Sequence, residues 1–354
     1  MSKFMGIRRR RSGLVLSLGL LALAARIAGG MEIKLAHPVP DGSLWDKVLD
    51  EMGAEWRDAT NGRVKLIVFA GGVAGPDDTV VRKLRLGQLH AASLSYIGLT
   101  TLDKAFEVFT IPLFFKTYDE FFCVLDALEP VLKQRLEAKE MILLSWGLGG
   151  WAYFFTKDPV QAVPDIKQMR MFTAAGDPEM VEILHRNGFR PVALASTDIM
   201  SGLQSGMFDA LPTAPLAALA FQWYRTISYM HEVGLGPVVG ATVITKRAWD
   251  QIPEQHRSII LQSSQKAEAT LREEIPTQEG KAVQEMKRRG LRVTTSVDPL
   301  EWQLEADRLS HSMRGSVVPS AILGQALAAR KACRQLTSSA DMPVAEKPDG
   351  DFPR

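Results

Sequence analysis

Residues Asp165–Pro215 read DIKQMRMFTAAGDPEMVEILHRNGFRPVALASTDIMSGLQSGMFDALPTAP, and the order of apolar runs and turn signals in them implies an architecture. Met169–Thr173 reads as a short buried strand. Asp177-Pro178 starts a helix, with Asp as N-cap and Pro at the first helical position. Met180, Val181, Ile183 and Leu184 form its apolar stripe, and Gly188 stands where a left-handed C-cap belongs. Pro191–Ala195 reads as a second strand. Thr197 caps a second helix through Leu203, closed by Gly206, and Phe208–Leu211 is a third strand. This βαβαβ order belongs to a mostly parallel sheet, and such sheets bind ligands at the carboxyl ends of their strands.

The phrase recurs. KLRLGQLHAASLS (Lys83–Ser95) aligns with GLQSGMFDALPT (Gly202–Thr213): a helix end, a Gly stop, a polar residue, then Ala opening an apolar strand. A strand precedes each copy, Val64–Phe69 and Pro191–Ala195. The chain therefore reads as α/β, with two similar lobes built on mostly parallel sheets. A length of 354 residues accommodates two such units.

Composition is ordinary for a globular chain, 46% hydrophobic and 23% charged, and a formal net charge of +2 gives no reason to expect nucleic acid. The start is different. Arg8–Arg11 is a basic n-region and Leu14–Ala25 a short apolar h-region followed by small residues. It reads as an export signal cleaved after Ala24 or near Gly30, too short to span a bilayer comfortably. The expected organisation is a signal peptide at 1–30 and a first lobe from 31–150 plus about 238–280. A second lobe takes 151–237 plus about 281–336, and 337–354 is a disordered tail.

Further elements follow from local signals. Ser43 caps a helix with Leu44, Val48, Leu49, Met52 and Trp56 on its apolar face. Thr117 and Glu120 form a capping box for a helix running towards Leu136. Met141–Trp146 is a strand running into GLGGWAYFFT. Pro253 opens a long helical tract reaching about Arg289, in which Pro276 suggests a kink or break. The glycines at Gly147–Gly150 and Gly234–Gly240 suit a hinge.

The chain contains no G-x-S-x-G, H-E-x-x-H or P-loop motif, and its six histidines lack metal-ligand spacing. No metal, cofactor or catalytic residue is assigned. AGGVAGP before Asp77 reads as a tight turn rather than an anion cradle, because Asp77 and Asp78 repel a second negative charge. Cys123 lies on an apolar helix face and reads first as a buried thiol; an oxidising compartment equally permits a pair with Cys333. His37, at the end of the first strand, and Tyr96, just past a later one, are placed to meet a ligand. Alternation puts Trp151 and Tyr153 on one face of an extended segment.

The chain resembles the DctP family, the substrate-binding proteins of TRAP (tripartite ATP-independent periplasmic) transporters. The resemblance rests on G-R-V-x-L at Gly62, F-A-G-G-V-A-G at Phe69, K-L-R-L-G-Q-L-H-A at Lys83 and I-P-L-F-F at Ile111. It rests further on P-D-I-K-Q-M-R at Pro164 and L-Q-S-G-M-F-D-A at Leu203. It implies a two-lobed protein that closes on a small molecule, with a long helix bridging the lobes, and delivers it to small and large membrane subunits. It also implies an arginine in the strand after P-D-I-K, which falls on Phe172 here, with Arg170 on a neighbouring lysine position. A second family arginine falls on Tyr153 and an asparagine near Thr213. The expected site is therefore Tyr153, Phe172 and Thr213, with Trp151, Tyr96, His37 and Asp177 nearby. Arg170 serves only if the register slips by two residues. Such a site disfavours succinate, malate and fumarate and favours a monocarboxylate or neutral compound with a larger apolar body. The alternatives are a stand-alone sensory or lipid-carrying protein, or an exported enzyme using the same cleft.

Overall fold

The computed structural model describes residues 30–340; the leader at 1–29 and the tail after 340 lie outside the described residues. Among the described residues, ten strands are joined in the order β2-β1-β3-β9-β4-β7-β5-β6, with β8 beside β4 and β10 beside β8. They are β1 (Met31–Ala36), β2 (Val64–Phe69), β3 (Ala91–Leu94), β4 (Met141–Thr156) and β5 (Arg170–Ala174). β6 (Arg190–Leu194), β7 (Ala210–Thr213), β8 (Tyr229–His231), β9 (Gly236–Thr245) and β10 (Arg292–Thr294) complete the set. β1 pairs in parallel with β2 and β3, and β5 in parallel with β6 and β7. These parallel sets are the centres of two lobes, each covered by helices.

The repeated phrase has the same backbone in both lobes. Gly87 and Gly206 take left-handed φ values of 71° and 68°. In each copy the Gly N–H bonds the carbonyl three residues back, and the next N–H bonds the carbonyl five back. A side chain is strained at that φ, so glycine is the residue that stops the helix and turns the chain into β3 or β7.

β4 and β9 join the lobes. β4 pairs antiparallel with β9 from Met141 to Ala152, then with β7 from Tyr153 to Thr156. It is one 16-residue strand, longer than Met141–Trp146 alone. The ladder with β9 is irregular between Leu143 and Ser145 and between Leu148 and Gly150. Beside each irregularity a backbone N–H of β4 turns to a carboxylate on the helix Glu254–Arg288. Trp146 donates to Glu268 Oε2 at 2.8 Å and Trp151 to Glu279 Oε1 at 2.6 Å. Tyr118 Oη donates to the other oxygen of Glu279. Burial holds the Glu279 carboxyl up at about 7, against these hydrogen bonds.

The bridging helix is continuous for 35 residues, with Pro276 inside it. The break expected there is absent. Ile275 and Glu279, flanking the proline, are both buried, so packing on both lobes offsets the lost hydrogen bond, a cost of about 3 kcal/mol.

Two more expectations change. Helix Ser320–Ala340, placed by sequence with the second lobe, packs on helix Tyr118–Glu137 of the first, and it extends past Thr337, where the tail was expected to begin. Cys123 and Cys333 form a disulfide there, so the buried-thiol reading gives way to the pair. Arg334 Nε donates to Glu120 at 2.9 Å, and the Arg330 guanidinium lies 4.0 Å over Phe114. Cys123→Ser should lower stability to denaturant by about 2–4 kcal/mol, because the bond closes a long loop. Equal urea midpoints for wild type and variant would contradict this.

Candidate functional site

The carboxyl ends of β3 and β5 face each other across the lobes. After β3, the Ser95 hydroxyl accepts from Ile97 N at 3.2 Å and starts helix Tyr96–Leu102. After β5, Asp177 Oδ1 accepts from Met180 N at 3.1 Å and starts helix Pro178–Arg186. Between these two caps lies a cavity of about 280 Å³. Tyr96, Ile97, Thr100 and Thr101 line it from the first lobe, with Lys104 and Glu107 from the 3-10 turn Lys104–Thr110. Thr173 to Asp177 and Met180 line it from the second.

Charged groups of the two lobes face each other here. Lys104 pairs with Glu179. The Glu107 carboxyl lies beside Asp177, whose charge repels it. Asp77 accepts from Ser95 N at 3.2 Å. Glu107 is 5% exposed, and burial followed by repulsion from Asp177 pushes it up to about 8. Thr110 Oγ1 donates to Glu107 Oε2 at 3.0 Å and opposes that shift. The Tyr96 phenol is raised by burial and by the charges of Glu107, Asp77 and Asp177. Among the described residues, Lys104 is the one cation lining the cavity, and Glu179 already neutralises it.

Of the residues expected from sequence, Tyr96, Phe172 and Asp177 line this cavity. Phe172 does so at its edge, with its ring packed on Phe208 at 5.6 Å in the core behind. The other five lie elsewhere. Trp151 packs edge-on to Tyr118 at 5.1 Å, and Tyr153 sits opposite Thr213 in the β4–β7 ladder. All three belong to the strand faces opposite Ala152, Phe154 and Pro212, which line the cavity. His37 is buried with Nε2 2.9 Å from Asp46 Oδ1, and burial outweighs that partner to lower its pKa. It braces β1 against helix Leu44–Ala59. Arg170 makes two 2.9 Å bonds to Asp209 at the start of β5. That is roughly 13 Å from the cleft end of the strand, so a two-residue register slip does not bring it in.

The AGGVAGP segment is a turn, as expected: Gly71 N bonds Val39 O, Gly72 N bonds His37 O and Gly75 N bonds Gly72 O. Lys104 and Glu107 were missed. The available signal was a carboxylate inside the apolar run AFEVF, since a fully buried Glu is rare without a partner.

The profile of the family described as bacterial extracellular solute-binding protein, family 7, matches residues 35–314. A solute-binding protein of Chromohalobacter salexigens is 22% identical over 235 residues, 65% of this chain and 68% of its own. A 2,3-diketo-L-gulonate-binding periplasmic protein of Escherichia coli is 22% identical over 68% of this chain and 74% of its own. Among solved structures, a Bordetella pertussis extracytoplasmic solute receptor binding pyroglutamic acid superposes with a TM-score of 0.77 at 20% identity, covering 85% of this chain and 100% of its own. A TRAP periplasmic solute-binding protein of Sulfurospirillum deleyianum with bound succinate superposes with a TM-score of 0.77 at 19% identity, covering 84% and 98%.

The buried Glu107–Asp177 contact gives stability a pH dependence of definite sign. The folded Glu107 binds its proton up to about 8, whereas its ordinary value is 4.5. Its contribution is therefore full at pH below the ordinary value and is lost as pH rises through about 8. Glu107→Gln, which needs no ionisation, should unfold at the same temperature as wild type or lower at pH 5. At pH 9 it should exceed wild type, by roughly 1–3 kcal/mol of stability. A variant-to-wild-type difference that does not change between these pH values would contradict the raised Glu107 carboxyl.

Proposed function

The chain belongs to the bacterial extracellular solute-binding protein family 7, and from that we propose that it captures a small organic solute between its lobes in the periplasm. It then delivers the solute to the small and large membrane subunits of a TRAP-type secondary transporter. Three features support export: the basic and apolar leader, the Cys123–Cys333 disulfide, and the periplasmic setting of relatives. Among the described residues no helix is long and apolar enough to cross a membrane. The glycines of β4 and β9 are the hinge about which the lobes open.

The observation that carries the ligand reading is the charge of the cavity. A buried carboxylate needs a compensating cation or several hydrogen bonds. Here the cavity offers Lys104, already paired, beside Glu107 and Asp177. One ligand carboxylate can be met by Lys104 if Glu179 yields it. A second has no cation and two acidic neighbours. The solute is therefore a monocarboxylate or a neutral compound with an apolar body, and dicarboxylates are poor ligands. Tyr96 and Asp177 contact it.

Calorimetry tests this with succinate, malate, fumarate, a set of monocarboxylates and their amides. At least one monocarboxylate or amide should bind 100-fold or more tightly than any dicarboxylate, since a lost charge-assisted bond costs about 1.5–3 kcal/mol and an unpaired charge adds to it. Submicromolar succinate binding would overturn the reading.

A further inference from the structure

The cavity does not end at the lobe interface. It continues into the second lobe, between the sheet and helix Pro299–Met313. Phe154 and Met171 project into it from β4 and β5, Leu309 and Met313 from the helix, and Leu184 from helix Pro178–Arg186. Each of these five side chains is less than a tenth exposed, so this inner part is an apolar chamber walled by the lobe's own core. Glu305 borders it, but its carboxylate is held by Lys167 at 2.7 Å. The passage from the cleft is kept open by small residues: Ala152 on β4, and Thr173 and Ala174 on β5, line it.

Protein interiors pack to the density of organic crystals and hold few voids larger than a water molecule. An apolar hollow of this kind is dry and takes apolar guests; one of about 150 Å³ accepts benzene. The present cavity, at about 280 Å³, is nearly twice that and is polar at its mouth and apolar within.

We infer that the chamber under helix Pro299–Met313 is a tail subsite, which takes the hydrocarbon or aromatic tail of an amphipathic monocarboxylate while the head stays at the lobe interface beside Tyr96 and Lys104. The inference rests on the proposed reading of the chain as a receptor for such a solute. It adds where the tail goes and which residues set its length.

The probe is the straight-chain monocarboxylate series from propanoate to decanoate, measured by calorimetry on the mature protein at pH 6. Affinity should rise roughly three- to fourfold per methylene until the chamber is full, then level or fall. Ala306, on the chamber side of the helix, is the position to block. Ala306→Phe should abolish the gain with chain length while leaving propanoate binding within about twofold. Leu309→Ala should move the optimum one or two carbons longer, and it serves if Ala306→Phe fails to fold by circular dichroism. Propanoate binding with no gain along the series would overturn the tail subsite and leave the receptor reading standing. No binding of any member, or of the matching amides, would overturn both.

Discussion

The β4–β9 ladder is the constraint on which the rest depends. Both strands run through the two lobes and tie them together. Its geometry explains the glycines along it. Gly150 has φ of 111°, and a side chain on Gly240 would meet Leu94 O at 2.7 Å. The irregular ladder leaves N–H groups that the bridging helix must satisfy, and Glu268 and Glu279 do so. An unsatisfied buried N–H costs about 1–3 kcal/mol, which is why charged residues face inward on that helix. The two strands and the bridging helix are thus bonded into one connected layer.

The cleft inherits its electrostatics from this arrangement. The first turn of helix Pro178–Arg186 lies against the turn Lys104–Thr110. Acidic groups from both sides then meet in a desolvated space. The Lys104–Glu179 pair is about half exposed and holds the lobes weakly, whereas Glu107 is sheltered beside Asp177, and burial with that repulsion disfavours its ionised form.

Local signals in the sequence were enough for the fold. Asp177-Pro178, Ser43 and Thr117 cap the helices assigned to them, and Gly87 and Gly206 stop the helices of the two repeats. Most strand ends fell within two residues, because those signals act over a few positions; β4 ran on to Thr156, well past the expected Trp146. The site was less legible. Tyr153 and Thr213 were assigned to the cleft from the family positions they align with, yet they pair with each other on the strand faces opposite Ala152, Phe154 and Pro212, which line the cavity. Arg170 lies in the expected strand but at its opposite end. Glu107 meets Asp177 only through the packing of two lobes, and no local pattern encodes a contact between residues so far apart in the chain.

The central claim is that this receptor holds its solute without an arginine clamp, in a cavity running from Tyr96 and Asp177 into the second lobe. A crystal structure of the mature protein with the ligand it retains on purification tests it most directly. The account expects the ligand's polar end near Tyr96 and Lys104 and its apolar part beside Phe154 and Leu309, with no guanidinium within hydrogen-bond distance. A carboxylate held by an arginine, or a ligand lodged against Tyr153 and Thr213 on the opposite strand face, would contradict it.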